Sequence, residues 1–254
     1  MAVLSDIHGV LPALDAVLAE PDVLAAEAIV LTGDIAAGPL PVQTLDRLAA
    51  LGDRAIWLRG NADRELVTAA GGGTTSIPDP IARWAASVLR PDDVDRLAAL
   101  PYPVTLEIAG FGPVLCCHAT PRDDQEIALV DSSPARWLEV LGGVDEDVRT
   151  IVCGHTHMPF LRLVGGRTVV NPGSVGMPYG GPGACWGLLH HGAVSLRRTD
   201  FDLDAACAAI ARDSGYPGAA WWAAEYVRSR HSDLDALAVF GPLEGRAGGT
   251  ATQP

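Results

Sequence analysis

The stretch Met1-Ala2-Val3-Leu4-Ser5-Asp6-Ile7-His8-Gly9 joins an apolar run to two metal-ligand side chains and a closing glycine. A strand over residues 1–4 would deliver Asp6 and His8 at its exit. The pattern recurs twice. Residues 28–32 (Ala-Ile-Val-Leu-Thr) run into Gly33-Asp34, and residues 54–58 run into Arg59-Gly60-Asn61-Ala62-Asp63. Helical periodicity follows the first two runs, over 12–19 (with Pro12 near the start) and 42–50. Strand then helix, repeated, argues for parallel pairing in an α/β layer. Ligands in such sheets bind beyond the carboxyl ends of the strands, where all three polar motifs fall.

Further along, residues 81–100 read as helical with a break at Pro91. Short strands follow over 104–108, 114–118, 150–153, 160–164, 168–171, 185–190 and 193–197, so the second half is β-rich. Gly110-Phe111-Gly112 and Gly165-Gly166 are turn signals between neighbouring strands. The first half is expected to contribute one mixed sheet and the second half another, packed as a sandwich with helices outside. Two helices over 203–212 and 219–230 close the chain, and Trp221, Trp222 and Tyr226 are expected to dock them on the core. The whole reads as a single domain over 1–240, including the C-terminal helices from about 201. A small, polar tail over 241–254 is expected to be disordered.

The second half carries two more polar motifs, Cys117-His118 and Gly154-His155-Thr156-His157. Taken singly, each site residue has a structural explanation. Asp6 could cap a helix, Asp34 and Asn61 could be turn residues, and His118 could be a packed core histidine. Taken together they make seven candidate metal ligands: Asp6, His8, Asp34, Asn61, His118, His155 and His157. Imidazole with carboxylate suits Mn, Fe, Co, Ni or Zn. Seven ligands exceed what one ion needs, which points to two ions sharing an acid.

The ordered series Asp6-x-His8, Gly33-Asp34, Gly60-Asn61-x-Asp63, His118 and Gly154-His155-x-His157 resembles the calcineurin-like metallophosphoesterases. Cys117-His118-Ala119-Thr120-Pro121-Arg122 and Asn171-Pro172-Gly173-Ser174 narrow the likeness to the small bacterial and archaeal phosphodiesterase branch. The resemblance covers residues 1 to about 200. It implies an α/β fold, a four-layer αββα sandwich of two mixed sheets flanked by helices. It assigns Asp6, His8 and His157 to one ion, Asn61, His118 and His155 to a second, and Asp34 as the bridge. It also implies two divalent transition-metal ions, manganese first among them, and attack on phosphorus by a hydroxide between them. Catalytic roles fall to Asp34, Asn61 and Asp63, and substrate contacts to Asn61 and Arg122. The Asn171–Ser174 stretch is read as a tight turn shaping the rim.

One departure matters. The family pattern places a histidine at position 62, where this chain has alanine. That histidine contacts phosphate and helps protonate the leaving group, and Asp63 would orient it. Its loss favours esters with good leaving groups, hence a phosphodiesterase. A histidine restored at position 62 is expected to shift preference toward monoesters. The alternatives are a phosphomonoesterase, whether a protein or nucleotide phosphatase, and a non-catalytic metal-binding scaffold like the retromer subunit of this fold.

The formal net charge of −13 and the absence of a basic run argue against nucleic acid as partner. A small phosphate ester remains compatible, because bound ions supply local positive charge. Five cysteines without a Cys-x-x-Cys pair read as reduced core thiols, with Cys117 directed away from His118. No leader or membrane-spanning run is visible, so the cytoplasm is the expected setting. Oligomeric state is left open.

Overall fold

The computed structural model describes residues 1–75, 77, 80–229 and 231–244. Its strands are β1 (Ala2–Leu4), β2 (Ile29–Leu31), β3 (Ala55–Trp57), β4 (Val104–Ile108), β5 (Gly112–Cys116), β6 (Thr150–Val152), β7 (Phe160–Val164), β8 (Arg167–Asn171), β9 (Ala184–His190) and β10 (Ala193–Thr199). The helices are α1 (Leu11–Leu18), α2 (Pro21–Leu24), α3 (Pro41–Ala49), α4 (Asn61–Ala70), α5 (Pro80–Val88), α6 (Pro91–Ala98), α7 (Pro134–Val140), α8 (Leu203–Asp213), α9 (Ala219–Ala223) and α10 (Asp233–Phe240).

Two mixed five-stranded sheets form, in the orders β10-β9-β1-β2-β3 and β4-β5-β6-β8-β7. In the first sheet β1, β2 and β3 are parallel, with β3 at one edge and the antiparallel β9–β10 pair at the other; in the second, parallel β5, β6 and β8 lie between antiparallel β4 and β7. The central strands are apolar on both faces because both faces are covered. Val3, Val30, Val114, Cys116, Val152 and Val170 meet between the sheets. Their neighbours Ala2, Leu4, Ile29 and Leu31 turn the other way, onto α1, α3 and α8. Leu115, Ile151 and Val169 turn onto Trp137 and Val140 of α7. Strand alternation thus produces helix, sheet, sheet and helix in four layers.

The structure departs from the sequence reading in six places. The β9–β10 hairpin joins the first sheet rather than the second, because β9 pairs antiparallel with β1 at Ala2–Leu188 and Val3–Gly187. Helices α2, α4, α7 and α10 have no counterpart in the sequence reading. Predicted strand 114–118 ends earlier, at Cys116, and leaves His118 in the following loop. Predicted helix 219–230 is α9 continued by a wider π-type turn over Ala224–Arg228, and Arg230 lies outside the described residues. Trp221 is 62% exposed and meets only the edge of the Tyr226 ring among the ring contacts of the described residues, whereas Trp222 is 1% exposed and fills the core. The expected tail begins with a 3-10 turn over Gly241–Leu243, and residues 245–254 lie outside the described residues. Among the described residues no helix is long and apolar enough to cross a membrane.

Candidate metal centre

All seven proposed ligands stand just beyond the carboxyl ends of parallel strands, six in loops and Asn61 at the start of a helix. Asp6 and His8 follow β1, Asp34 follows β2, Asn61 opens α4 after β3, His118 follows β5, and His155 and His157 follow β6. Asp6, His8 and His157 form one buried cluster with ligand atoms within 4.8 Å of one another. Asp34, His118 and His155 form a second by the same measure.

The two clusters meet at Asp34. Its Oδ1 accepts the Ala62 amide at 2.7 Å. Its Oδ2 lies 3.3 Å from His118 Nε2 in its own cluster and 3.7 Å from His8 Nε2 in the other. One oxygen is therefore pinned by the backbone, and the other is shared. Asn61 Oδ1 is 3.0 Å from His118 Nε2, which places it beside the second cluster.

The imidazoles are oriented by backbone carbonyls. Nδ1 of His8, His118 and His157 faces the carbonyls of Ala37, Thr32 and Met177 at 3.2, 2.9 and 3.0 Å. His155 is turned the other way, with Nε2 on the Gln125 carbonyl at 3.1 Å and Nδ1 left inward. A carbonyl accepts only, so each of these nitrogens donates, and when the ring is neutral the other nitrogen presents a lone pair to the site. As a result, the Nε2 atoms of His8 and His157 point lone pairs at each other across 3.2 Å. Asp6 Oδ1 is buried and accepts no hydrogen bond. Converging lone pairs and an orphaned carboxylate oxygen are a donor set that fits divalent cations.

The shared direction of Asp6 and His8 does not come from strand alternation, since β1 ends at Leu4. Instead Asp6, His8, Asp34, His155 and His157 adopt left-handed backbone, with φ of 54, 48, 55, 66 and 56°. Among the described residues only one other non-glycine residue does so, His191 in a hairpin turn. Left-handed geometry is costly for residues with a Cβ and gathers at functional sites. The motif glycines serve close approach. A Cβ on Gly60 would lie 2.2 Å from Asp34 Oδ1, and one on Gly154 would lie 1.9 Å from Ser5 Oγ.

Burial opposes charge throughout the site, and the carboxylates and imidazoles offset it for one another. Asp34 is held well below the usual carboxylate range by His118 and His8 despite burial. His118 is pushed up to about 10, because Asp34 and Asp6 outweigh its desolvation. Burial and the charge of His118 push His155 down to about 4.

Asp63 is placed differently from expectation. Its carboxylate accepts amides of Asp34 (2.8 Å), Ile35 (2.9 Å) and Gly60 (2.9 Å), so it clamps the Asp34 loop to the start of α4. It is fully buried and acts as a positioning residue. Burial and the nearby Asp34 carboxylate push it up to about 7, while the donated amides of Gly60 and Ile35 pull the other way. Ala62 is 2% exposed and packs in the core, which leaves little room for a larger side chain. Arg122, expected to touch substrate, is instead exposed and paired with Glu126 (2.6 Å) and Glu139 (2.8 Å). Asn171 braces the rim: its amide donates to the Gly154 carbonyl (2.7 Å) and Thr156 Oγ1 (3.1 Å). Ser174 Oγ donates to the Asp6 carbonyl at 2.7 Å. Cys117 packs on the outer face of the second sheet, away from the ligands, and all five cysteines are free and buried.

Four contributors lie outside the sequence reading. Gln125 offers only its backbone, which no side-chain motif reveals. Asp124 ties down its loop through Arg64 (2.9 Å) and Arg59 (3.5 Å). Tyr179 and Phe240 lie beside the ligand histidines, with ring centroids 6.3 Å from His157 and 6.1 Å from His155.

A sandwich of two mixed sheets carrying two histidine-carboxylate clusters at its strand exits defines a phosphoesterase-type metal centre. Residues 1–192 match the family model of the calcineurin-like phosphoesterase superfamily domain, and the chain belongs to that family. Phosphodiesterase YfcE of Escherichia coli (strain K12) is 26% identical over 201 residues, covering 76% of this chain and 88% of that protein. A metallophosphoesterase from Sphaerobacter thermophilus superposes with a TM-score of 0.68 at 24% identity, over 88% of this chain and 99% of its own. A hypothetical protein from Pyrococcus horikoshii OT3 gives 0.75 at 19% identity, over 91% and 98%. These two structures speak for the fold.

Proposed function

We propose that this protein hydrolyses phosphodiesters with two divalent transition-metal ions, one held by Asp6, His8 and His157 and one by Asn61, His118 and His155, with Asp34 shared. The observation that carries the reading is Asp34 Oδ2, set between the two clusters while Oδ1 is fixed by the Ala62 amide. When bound, such ions make a hydroxide nucleophile available near neutral pH and offset charge on the phosphoryl group. The protein's own part is orientation. Carbonyls of Ala37, Thr32, Met177 and Gln125 hold the imidazoles in one tautomer and direction, and Asp63 holds Asp34 in place.

The preference for diesters rests on what surrounds Asn61. Position 62 offers a buried methyl rather than an imidazole, so no side chain there protonates a poor leaving group. Arg59 and Arg64 pair with Asp124, and Arg122 pairs with Glu126 and Glu139, so a monoester dianion finds none of these guanidiniums free. A singly charged diester with a good leaving group suits such a site better. The test is a graded series of aryl and alkyl diesters assayed after loading with Mn, Fe, Co, Ni or Zn. Aryl diesters should turn over faster than alkyl ones. A rate independent of leaving-group pKa, with chemistry limiting, would mean that another group donates the proton.

A further inference from the structure

The family model ends at residue 192, yet the C-terminal elements return to the metal centre. Helix α10 is seated by Ala236, fully buried against Ile127, Leu129 and Met158. The preceding turn is tied down where the Gly180 amide donates to the His231 carbonyl at 2.9 Å. This seating brings Phe240 to His155 (centroids 6.1 Å, interplanar 55°) and to Tyr179 (6.3 Å, 82°). Tyr179 in turn lies 6.3 Å from His157 at 44°. The rings form a continuous ridge, His155–Phe240–Tyr179–His157, that spans both metal clusters. His155, Phe240 and Tyr179 are all half-buried rather than sealed in the core.

Tyr179 and Phe240 contact ligand imidazoles but do not belong to the ligand set. Both also pack against the Ile127, Leu129, Met158 and Ala236 cluster, which seats them without burying them fully. Partly exposed aromatic faces beside a reacting centre offer a stacking platform for a flat group. We propose that Tyr179 and Phe240 form an aromatic wall of the substrate site, which takes a phosphate ester bearing a planar aromatic substituent, either an aryl group or a nucleobase. The inference rests on the phosphoesterase reading above and names the substrate class for that site. It also gives α10 a task, since the helix carries half of the wall in from outside the matched family region.

The test separates recognition from turnover. Binding of phenyl-, cyclohexyl- and methylphosphonate to the Mn-loaded full chain is measured by calorimetry, in wild type and in Phe240→Ala and Tyr179→Leu. The wild type should bind phenylphosphonate about tenfold more tightly than methylphosphonate, since stacking of this kind is worth about one such factor. Cyclohexylphosphonate should fall between them, and each variant should bring the phenyl-to-methyl ratio toward one. Phe240→Trp, which keeps a ring, should retain the preference and covers the case in which Phe240→Ala does not fold. Equal wild-type affinity for phenyl and cyclohexyl, or an undiminished ratio in a folded Phe240→Ala, would overturn the wall. Turnover of esters sharing a p-nitrophenyl leaving group, with methyl, phenyl or thymidine as the second substituent, then distinguishes aryl from nucleobase. Phosphonate binding with the expected ratio but no ester turnover would defeat the phosphoesterase reading and leave the wall standing.

Discussion

Asp63 is the residue whose removal should be most informative. Its carboxylate accepts three buried amides, from Asp34, Ile35 and Gly60. Asp63→Ala strands all three, at about 1–3 kcal/mol each, or about 3–9 kcal/mol together. A water entering the vacated space would accept two of them and bring the cost to the lower end. Even that end is a large share of the roughly 5–15 kcal/mol that holds a typical domain together. Asp63→Asn is nearly isosteric. Its oxygen can occupy the Oδ2 position and serve Asp34 and Gly60, while its amide group confronts the Ile35 N–H. One donor is lost, about 1–3 kcal/mol, which for a chain of this size lowers Tm by about 2–12 °C. Both variants should also weaken metal binding, since the Asp34 amide anchors the carboxylate that both clusters use. Calorimetric melting of the metal-free proteins and manganese titration of each test this. If Asp63→Ala melts within about 2 °C of wild type and binds manganese equally, the amide clamp does not position Asp34.

Asp34→Ala should weaken both ions, whereas His157→Ala should mainly weaken the first; elemental analysis of loaded protein should approach two ions per wild-type chain, and one or fewer would sink the shared site. Metal must displace the proton that Asp34 and Asp6 keep on His118 up to about 10, so affinity should rise with pH by about tenfold per unit below that value. Because this folded value exceeds the ordinary 6.5, the same proton stabilises metal-free protein fully below about 6.5, and that contribution is lost as pH rises through about 10; titrations in buffers of different ionisation enthalpy and melting curves across the range check both signs. Ala62→His, attractive from the family pattern, should cost about 1–3 kcal/mol by overpacking, because residue 62 is 2% exposed; a monoester-to-diester ratio of kcat/KM that rises without loss of stability would show that the imidazole reaches the site instead.

The ligand set was legible because two kinds of pattern coincide. Strands buried on both faces appear as short apolar runs, and although one histidine or carboxylate past such a run has an ordinary structural explanation, a whole ordered series of them does not. Asp6, Asp34, His118, His155 and His157 all stand out on that ground. What stayed hidden depends on the third dimension. Pairing of β9 with β1 joins segments more than 180 residues apart, as in Ala2–Leu188, and no local period encodes it. Helix α4 escaped notice because it begins at Asn61 itself, so that one residue is both ligand and first helical position. Arg122 was misjudged because sequence shows a guanidinium near His118 but not the carboxylates of Glu126 and Glu139 that engage it. Gln125 was invisible because it contributes a carbonyl, which every residue has.

The left-handed ligands explain how a site of converging lone pairs is held before any cation arrives. Each such residue costs on the order of 1–3 kcal/mol unless neighbouring structure enforces it. Here the loops enforce one another. The Asp6 amide donates to the Gly33 carbonyl at 3.1 Å, the His8 amide to the Asp34 carbonyl at 2.9 Å, and the Gly9 amide to the Ile35 carbonyl at 2.9 Å. The His155 amide donates to Asp6 Oδ2 at 3.1 Å and ties the β6 loop to the β1 loop. Asp63 then joins the β2 loop to α4. The loops after β1, β2, β3 and β6 are thus cross-linked by hydrogen bonds from backbone amides, to carbonyls and to the Asp6 Oδ2 and Asp63 carboxylate oxygens, which leave Asp6 Oδ1 and Asp34 Oδ2 facing the site. Strain is carried by the frame, and the free lone pairs of Asp6 Oδ1, Asp34 Oδ2 and the imidazoles are what the frame leaves over. A motif of alternating ligands and glycines is needed for both halves of that arrangement. Gly60 and Gly154 let the loops close within reach of one another, and the residues between them carry the donors that close approach brings together.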